Sequence, residues 1–437
     1  MMRGMEGMTV RRVVVTGIGL MTPCGKGWAP YWEALLKGES HIRYLSNFHL
    51  NGFPSKLAGE VPAFNAADYV KKRKLLKVMS REIQLAVVAS QLALDDARLN
   101  VDQTERLRFG VSLGAGLINT DLEDLKLGIY KSLDENGQFQ MRKFGQEGIR
   151  ALFPLWFLKY LPNMPACHIS IAHGLKGPNN TVTTSAAAGA QAIGEALHVI
   201  QRGDADIMLA GGTDSKVNPM GLSRFHLLGL LSIRNSVPPA DVYCPFDERR
   251  DGLILGEGAG LLVLEEREHA LQRGARIYGE LLGYGSASDF NYDPRTSEDF
   301  MGKSLAMERS LKHAGVAAEE IQGLLANGSG IPQDDILECR AIHAVFKRAV
   351  SNLKVTAVKP ITGHLVYGSG GVETAAALLS LYHEMIPAVV NLNQPDPRCD
   401  LPMVTQHPAP WRSELFMMNS FGFGGQNASL VMRKCPS

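Results

Sequence analysis

The chain has 437 residues, 45% hydrophobic and 20% charged, with a formal net charge of +1. These values fit a globular α/β-sized protein of two domains, or one large duplicated one, with a sizeable core. The near-neutral balance gives no ground for nucleic acid or an anionic membrane as partner.

The opening MMRGMEGMTVRR runs straight into VVVTGIG. No apolar run approaches about 18 residues, so neither a signal peptide nor a membrane span is expected. Residues 12–19 read as a buried strand ending in a glycine turn. Residues 30–36 read as a helix, with Pro30 in its first turn and Gly38 just past its end. Residues 39–70 look irregular. The run KKRK at 71–74 is a solvated face or a docking patch for an acidic protein. Ser80 is a plausible N-cap for a helix through Leu99, and residues 109–113 form a strand entering Gly114-Ala115-Gly116. The aromatic cluster Phe153, Trp156, Phe157 and Tyr160 suits core or a dimer interface.

The stretch GPNNTVTTSAAAGAQAIGEALHVIQRGDADIMLAGG, residues 177–212, organises the middle of the chain. Residues 181–184 read as a short buried strand, 189–200 as an amphipathic helix, and 206–210 as a second buried strand. The turn between the first strand and the helix is built from Ser185, Ala186, Ala187, Ala188 and Gly189. A helix N-terminus favours developing negative charge, which suits acyl transfer. No cysteine stands in the turn. Farther on come the strand LLVLEE, a helix over residues 267–273, and a second round of strand and helix patterns. The six cysteines are scattered without a CxxC, so reduced thiols in the cytoplasm are expected, with no metal.

Five stretches carry a resemblance: VTGIGLMTP at 15–23, TTSAAAGA at 183–190, PFDERRDGLILGEGAG at 245–260, KPITGHL at 359–365 and NSFGFGGQNAS at 419–429. In this order, over nearly the whole chain, they resemble the elongating β-ketoacyl-acyl carrier protein synthases. The resemblance implies an α/β thiolase-like fold, with duplicated halves at residues 10–265 and 266–435 in a five-layered αβαβα core, normally dimeric. It implies no cofactor. The substrate is carried on the phosphopantetheine of acyl carrier protein.

Residue by residue, the resemblance puts the nucleophilic cysteine at Ala186, where a methyl group cannot form a thioester. The first catalytic histidine falls on Asn327 in ANGSGIP, and asparagine can still donate a hydrogen bond to a thioester oxygen. Ser329 keeps a hydroxyl, whereas Gly330 and Ile331 do not. The second histidine is His364. Lys359, Glu338 and Glu373 match a lysine and two acidic positions, which suit either catalysis or a retained polar network. Phe421, Phe423 and Gly424 belong to the substrate-binding loop, and the backbone N–H groups of Ala186 and Phe423 would form an oxyanion hole. His173 and His198 lie outside these motifs.

Two classes of function follow. One is a subunit like the chain-length factors, unable to condense alone and paired in a heterodimer with a cysteine-containing ketosynthase. The other is an enzyme, homodimeric or not, with malonyl decarboxylase or acyltransferase activity resting on His364 and Asn327.

Overall fold

Alternating side chains decide where the strands sit. In Glu257–Glu266, Leu262 and Leu264 enter one apolar cluster while Leu261 and Val263 enter another. In Gln426–Arg433, Leu430 and Met432 face the first cluster and Val431 a third. A strand buried on both faces needs helices on both sides, which is why these segments read as continuous apolar runs.

The computed structural model describes residues 11–46, 48, 52–290 and 293–435. The expectation that no signal peptide precedes the first strand concerns residues 1–10, outside the described residues. Among the described residues, no helix is long and apolar enough to cross a membrane.

The main strands are β1 (Val13–Thr22), β2 (Phe109–Gly114), β3 (Asn179–Val182), β4 (Ile207–Ser215), β5 (Glu257–Glu266), β6 (Gly279–Ser288), β7 (Gly323–Leu325), β8 (Lys354–Thr356), β9 (Leu415–Phe421) and β10 (Gln426–Arg433). Across the sheet they run β8-β7-β9-β10-β6-β1-β5-β4-β2-β3. From each outer edge inward, three parallel strands are followed by two antiparallel ones. One pattern is therefore used twice. Residues 13–15 of β1 pair with residues 279–281 of β6 and join the two sets.

The helices complete five layers. Helices α1 (Arg81–Asp96) and α2 (Met164–His173) cover the outer face of the first set. Helices α4 (Met301–Ala314) and α5 (Pro332–Phe346) cover the outer face of the second. Between the sets lie α3 (Ala188–Gln201) and α6 (Ser369–His383), whose Ala190, Ile193, Ala375 and Leu378 share one cluster. Their backbones almost touch, since a methyl group at Gly370 would overlap the Ala190 backbone.

Several local expectations need correction. Residues 17 and 19 are not a turn: β1 continues to Thr22, and the glycines let the carbonyls of Ala93 and Ala89 on α1 press against the strand. Strand β3 is a half-exposed edge strand rather than a buried one. Helix α1 stops at Asp96 instead of Leu99, and the Ser80 side chain makes no capping bond. In the aromatic cluster only Tyr160 is buried, while Phe153 and Phe157 are exposed. Lys71, Lys72, Arg73 and Lys74 are all exposed.

Candidate functional site

Four chain segments leave the carboxyl ends of parallel strands on one side of the molecule, where open α/β sheets place their ligands. Strand β3 leads to the turn at 185–187, β7 to Asn327, β8 to Lys359 and His364, and β9 reaches Phe421. Ser185 takes φ of +59°, a conformation a non-glycine residue adopts only under local constraint, so the chain bends sharply into α3. Ala186 follows it and is 1% exposed. Its carbonyl accepts the Ser420 hydroxyl at 3.2 Å, which ties the turn to β9.

Lys359 anchors the opposite wall. Its Nζ donates to the backbone carbonyl and to Oδ1 of Asn327, the latter at 3.0 Å, and pairs with Glu373 at 2.7 Å. The same Oδ1 accepts the Phe421 N–H at 3.2 Å. With Oδ1 fixed by two donors, the amide orientation of Asn327 is set, and its buried Nδ2 has no hydrogen-bond partner. Glu338 accepts the N–H groups of Asn327 and Gly328 at 2.7 and 2.8 Å, holding the loop from below.

His364 is fully buried. Its Nδ1 accepts the Val366 N–H at 3.0 Å, so the ring proton belongs on Nε2, which is likewise buried without a partner. Burial, then the nearby Lys359 charge, holds the imidazole well below its usual range and therefore neutral. The ring lies 5.0 Å from that of Phe423, which in turn meets Phe225 edge-on at 5.9 Å. The site thus presents two unpaired buried donors beside a helix-start turn. A carbonyl oxygen is the kind of group that accepts from such donors.

The structure brings together Ala186, Asn327, Lys359, His364, Glu373 and Phe423. Phe421 contributes its backbone, while its ring is buried 5.0 Å from the Lys303 ammonium. Gly424 is an exposed loop residue. Gly330 has φ of +75°, and a side chain there would meet the Tyr243 ring at 2.6 Å. Among the described residues no cluster of His, Cys, Asp and Glu is placed to hold a metal ion.

Sequence reading missed Phe225, Tyr367 and a buried trio of Glu82, Asp214 and Lys216. Tyr367 stands in the small-residue run YGSGG, and that contrast was the available signal. In the trio, Lys216 pairs with Asp214, and Glu82 is pushed up to about 7 by burial, against the opposing pull of Lys216. The folded chain then holds a proton on Glu82 more tightly than the unfolded chain does, so this residue's contribution to stability falls as pH rises from about 4.5 to about 7. The loss is about 3 kcal/mol. Glu82→Gln should remove that slope. Urea unfolding at pH 5 and pH 8 would check it, and equal slopes in both proteins would refute the assignment.

The family descriptions "Beta-ketoacyl synthase, N-terminal domain" and "Beta-ketoacyl synthase, C-terminal domain" match residues 10–270 and 278–393. The chain is 37% identical over 429 residues to "3-oxoacyl-[acyl-carrier-protein] synthase 2" of Vibrio cholerae, covering 98% of this chain and 100% of that protein. It is 35% identical over 430 residues to the protein of the same name from Synechocystis, again covering 98% and 100%. Among solved structures it resembles "The ishigamide ketosynthase/chain length factor" with a TM-score of 0.85 and 31% identity, covering 98% of this chain and 100% of that one. A type II polyketide ketosynthase bound to its acyl-carrier protein gives a TM-score of 0.85 at 28% identity, with the same coverage. The thiolase-like layers, the order of the motifs and these matches agree, and the chain belongs to the β-ketoacyl synthase family.

Proposed function

We propose that this chain is a ketosynthase-fold subunit of fatty-acid or polyketide synthesis that works with acyl carrier protein but cannot form an acyl-enzyme itself. It acts beside a cysteine-bearing ketosynthase in a heterodimer, as chain-length factors do. The observation that carries this reading is Ala186, a methyl group at the start of α3 where the family chemistry needs a thiolate. The exposed run Lys71–Lys74 supports an acidic carrier as partner. The phosphopantetheine arm would bring its thioester carbonyl to the unpaired Nδ2 of Asn327 and Nε2 of His364.

Incubating the unaltered chain with acyl carrier thioesters should give no covalent adduct by mass spectrometry, and any stoichiometric acyl adduct would refute the reading. Co-expression with a cysteine-containing homologue from the same genome should give a mixed complex by size exclusion. A homodimer that ignores every such homologue would count against it.

The two unpaired donors favour a second reading. They could stabilise the enolate formed when a malonyl thioester loses carbon dioxide, a step that needs no cysteine.

A further inference from the structure

Tyr367 follows His364 by three residues, is partly buried, and reaches with its phenol to the loop at 116–117 and the turn at Ser185. A methyl group at Gly116 would overlap the Tyr367 ring, so the ring tip rests directly on that backbone. The phenol oxygen faces the N–H groups of Leu117 and Ser185, the latter next to residue 186. The Tyr367 N–H points to Asp214 at 3.4 Å, and Lys216 lies 5.4 Å from the ring centre.

On the carrier-arm reading, the arm would come to the unpaired donors past Phe423, 5.0 Å from the His364 ring, and the exposed Gly424. The acyl group on that thioester must then point the other way, toward the turn at 185–187 and the loop at 115–118. That space is filled by the Tyr367 ring. Behind it stand Asp214, Lys216 and Glu82, all buried. A long alkyl chain that passed the ring would lie against ionisable groups, which is costly.

We propose that Tyr367 is a plug that limits the site to acyl groups of acetyl or malonyl size. This rests on the carrier-arm reading above, and the experiment separates the two. The plug is tested without any carrier, by calorimetric titration with 1-hexanol. The unaltered chain and Tyr367→Phe, which keeps the ring, should show no saturable uptake, while Tyr367→Gly should bind one molecule. If Tyr367→Gly does not fold, Tyr367→Ser takes its place. Equal uptake by the unaltered chain, or none by the ring-deleted variant, would overturn the plug.

The reading is tested with Ala186→Cys and acyl-pantetheine thioesters. The new thiolate attacks the carbonyl, the bond to the pantetheine sulfur breaks, and that sulfur leaves as a thiol after taking a proton. Acetyl should load at least tenfold more than hexanoyl, and adding Tyr367→Gly should bring the two close to parity. An unchanged preference would overturn the plug. Failure of both esters to load would overturn the carrier-arm reading and leave the hexanol comparison to decide the plug.

Discussion

His364→Ala should lower carbon dioxide release from malonyl carrier by about 10²–10³-fold, the cost of removing one well-placed donor to a developing oxyanion. The size follows from the burial of Nε2, which has no competing hydrogen-bond partner. Because the imidazole is held well below its usual range, its donor proton is present throughout the neutral region. The rate carried by this group should therefore be flat between pH 6 and pH 8. Labelled malonyl carrier and a carbon dioxide trap would measure it. Equal rates in both proteins would make the site vestigial and the subunit reading the sole survivor. A rate that falls as pH rises through that range would mean that the imidazolium is the active form.

Lys359→Met should destabilise the fold by about 3–5 kcal/mol, the usual cost of removing one partner from a buried ion pair. Lys359 is 2% exposed and holds three groups at once: the carbonyl and side chain of Asn327, and Glu373. Without it Glu373 is left charged in a dry interior, already raised by burial and held down chiefly by Lys359. The sign then depends on pH. Below the raised pKa the lone carboxyl takes up a proton and part of the loss is relieved, so the defect should grow as pH rises. Lys359→Met with Glu373→Leu should recover much of the stability. Urea titrations of the single and double variants would decide it. A double variant less stable than Lys359→Met alone would contradict the assignment of the ion pair as the source of the loss.

The turn at 185–187 was legible from its run of small residues before a helical pattern, and Asn327, Lys359 and His364 from the motifs ANGSGIP and KPITGHL that carry the resemblance. Loop chemistry at strand ends leaves a local mark in residue type. Gly17 and Gly19 were misread because glycine serves two masters: a turn and a close approach of another backbone. Only α1, some seventy residues later in the chain, tells them apart. The buried place of the Phe421 ring was hidden for a related reason. Its neighbour Lys303 comes from α4, and no spacing within NSFGFGG reports that contact. Tyr367 and the trio behind it are long-range facts of the same kind.

The near-contact of α3 and α6 at Gly370 bears on how the chain is made. Helix α3 is complete when Gln201 has been synthesised, yet part of the layer it packs against is α6, which begins at Ser369. At ordinary elongation rates that delay is on the order of 10–30 s. During it, Ala190, Ile193 and Leu197 can meet strands β1 and β4 but lack the α6 side chains Ala375 and Leu378 that complete their cluster. The nascent first half should therefore hold chaperones on the ribosome until residue 383 has emerged, and ribosome profiling of chaperone-bound chains would show release only beyond that point.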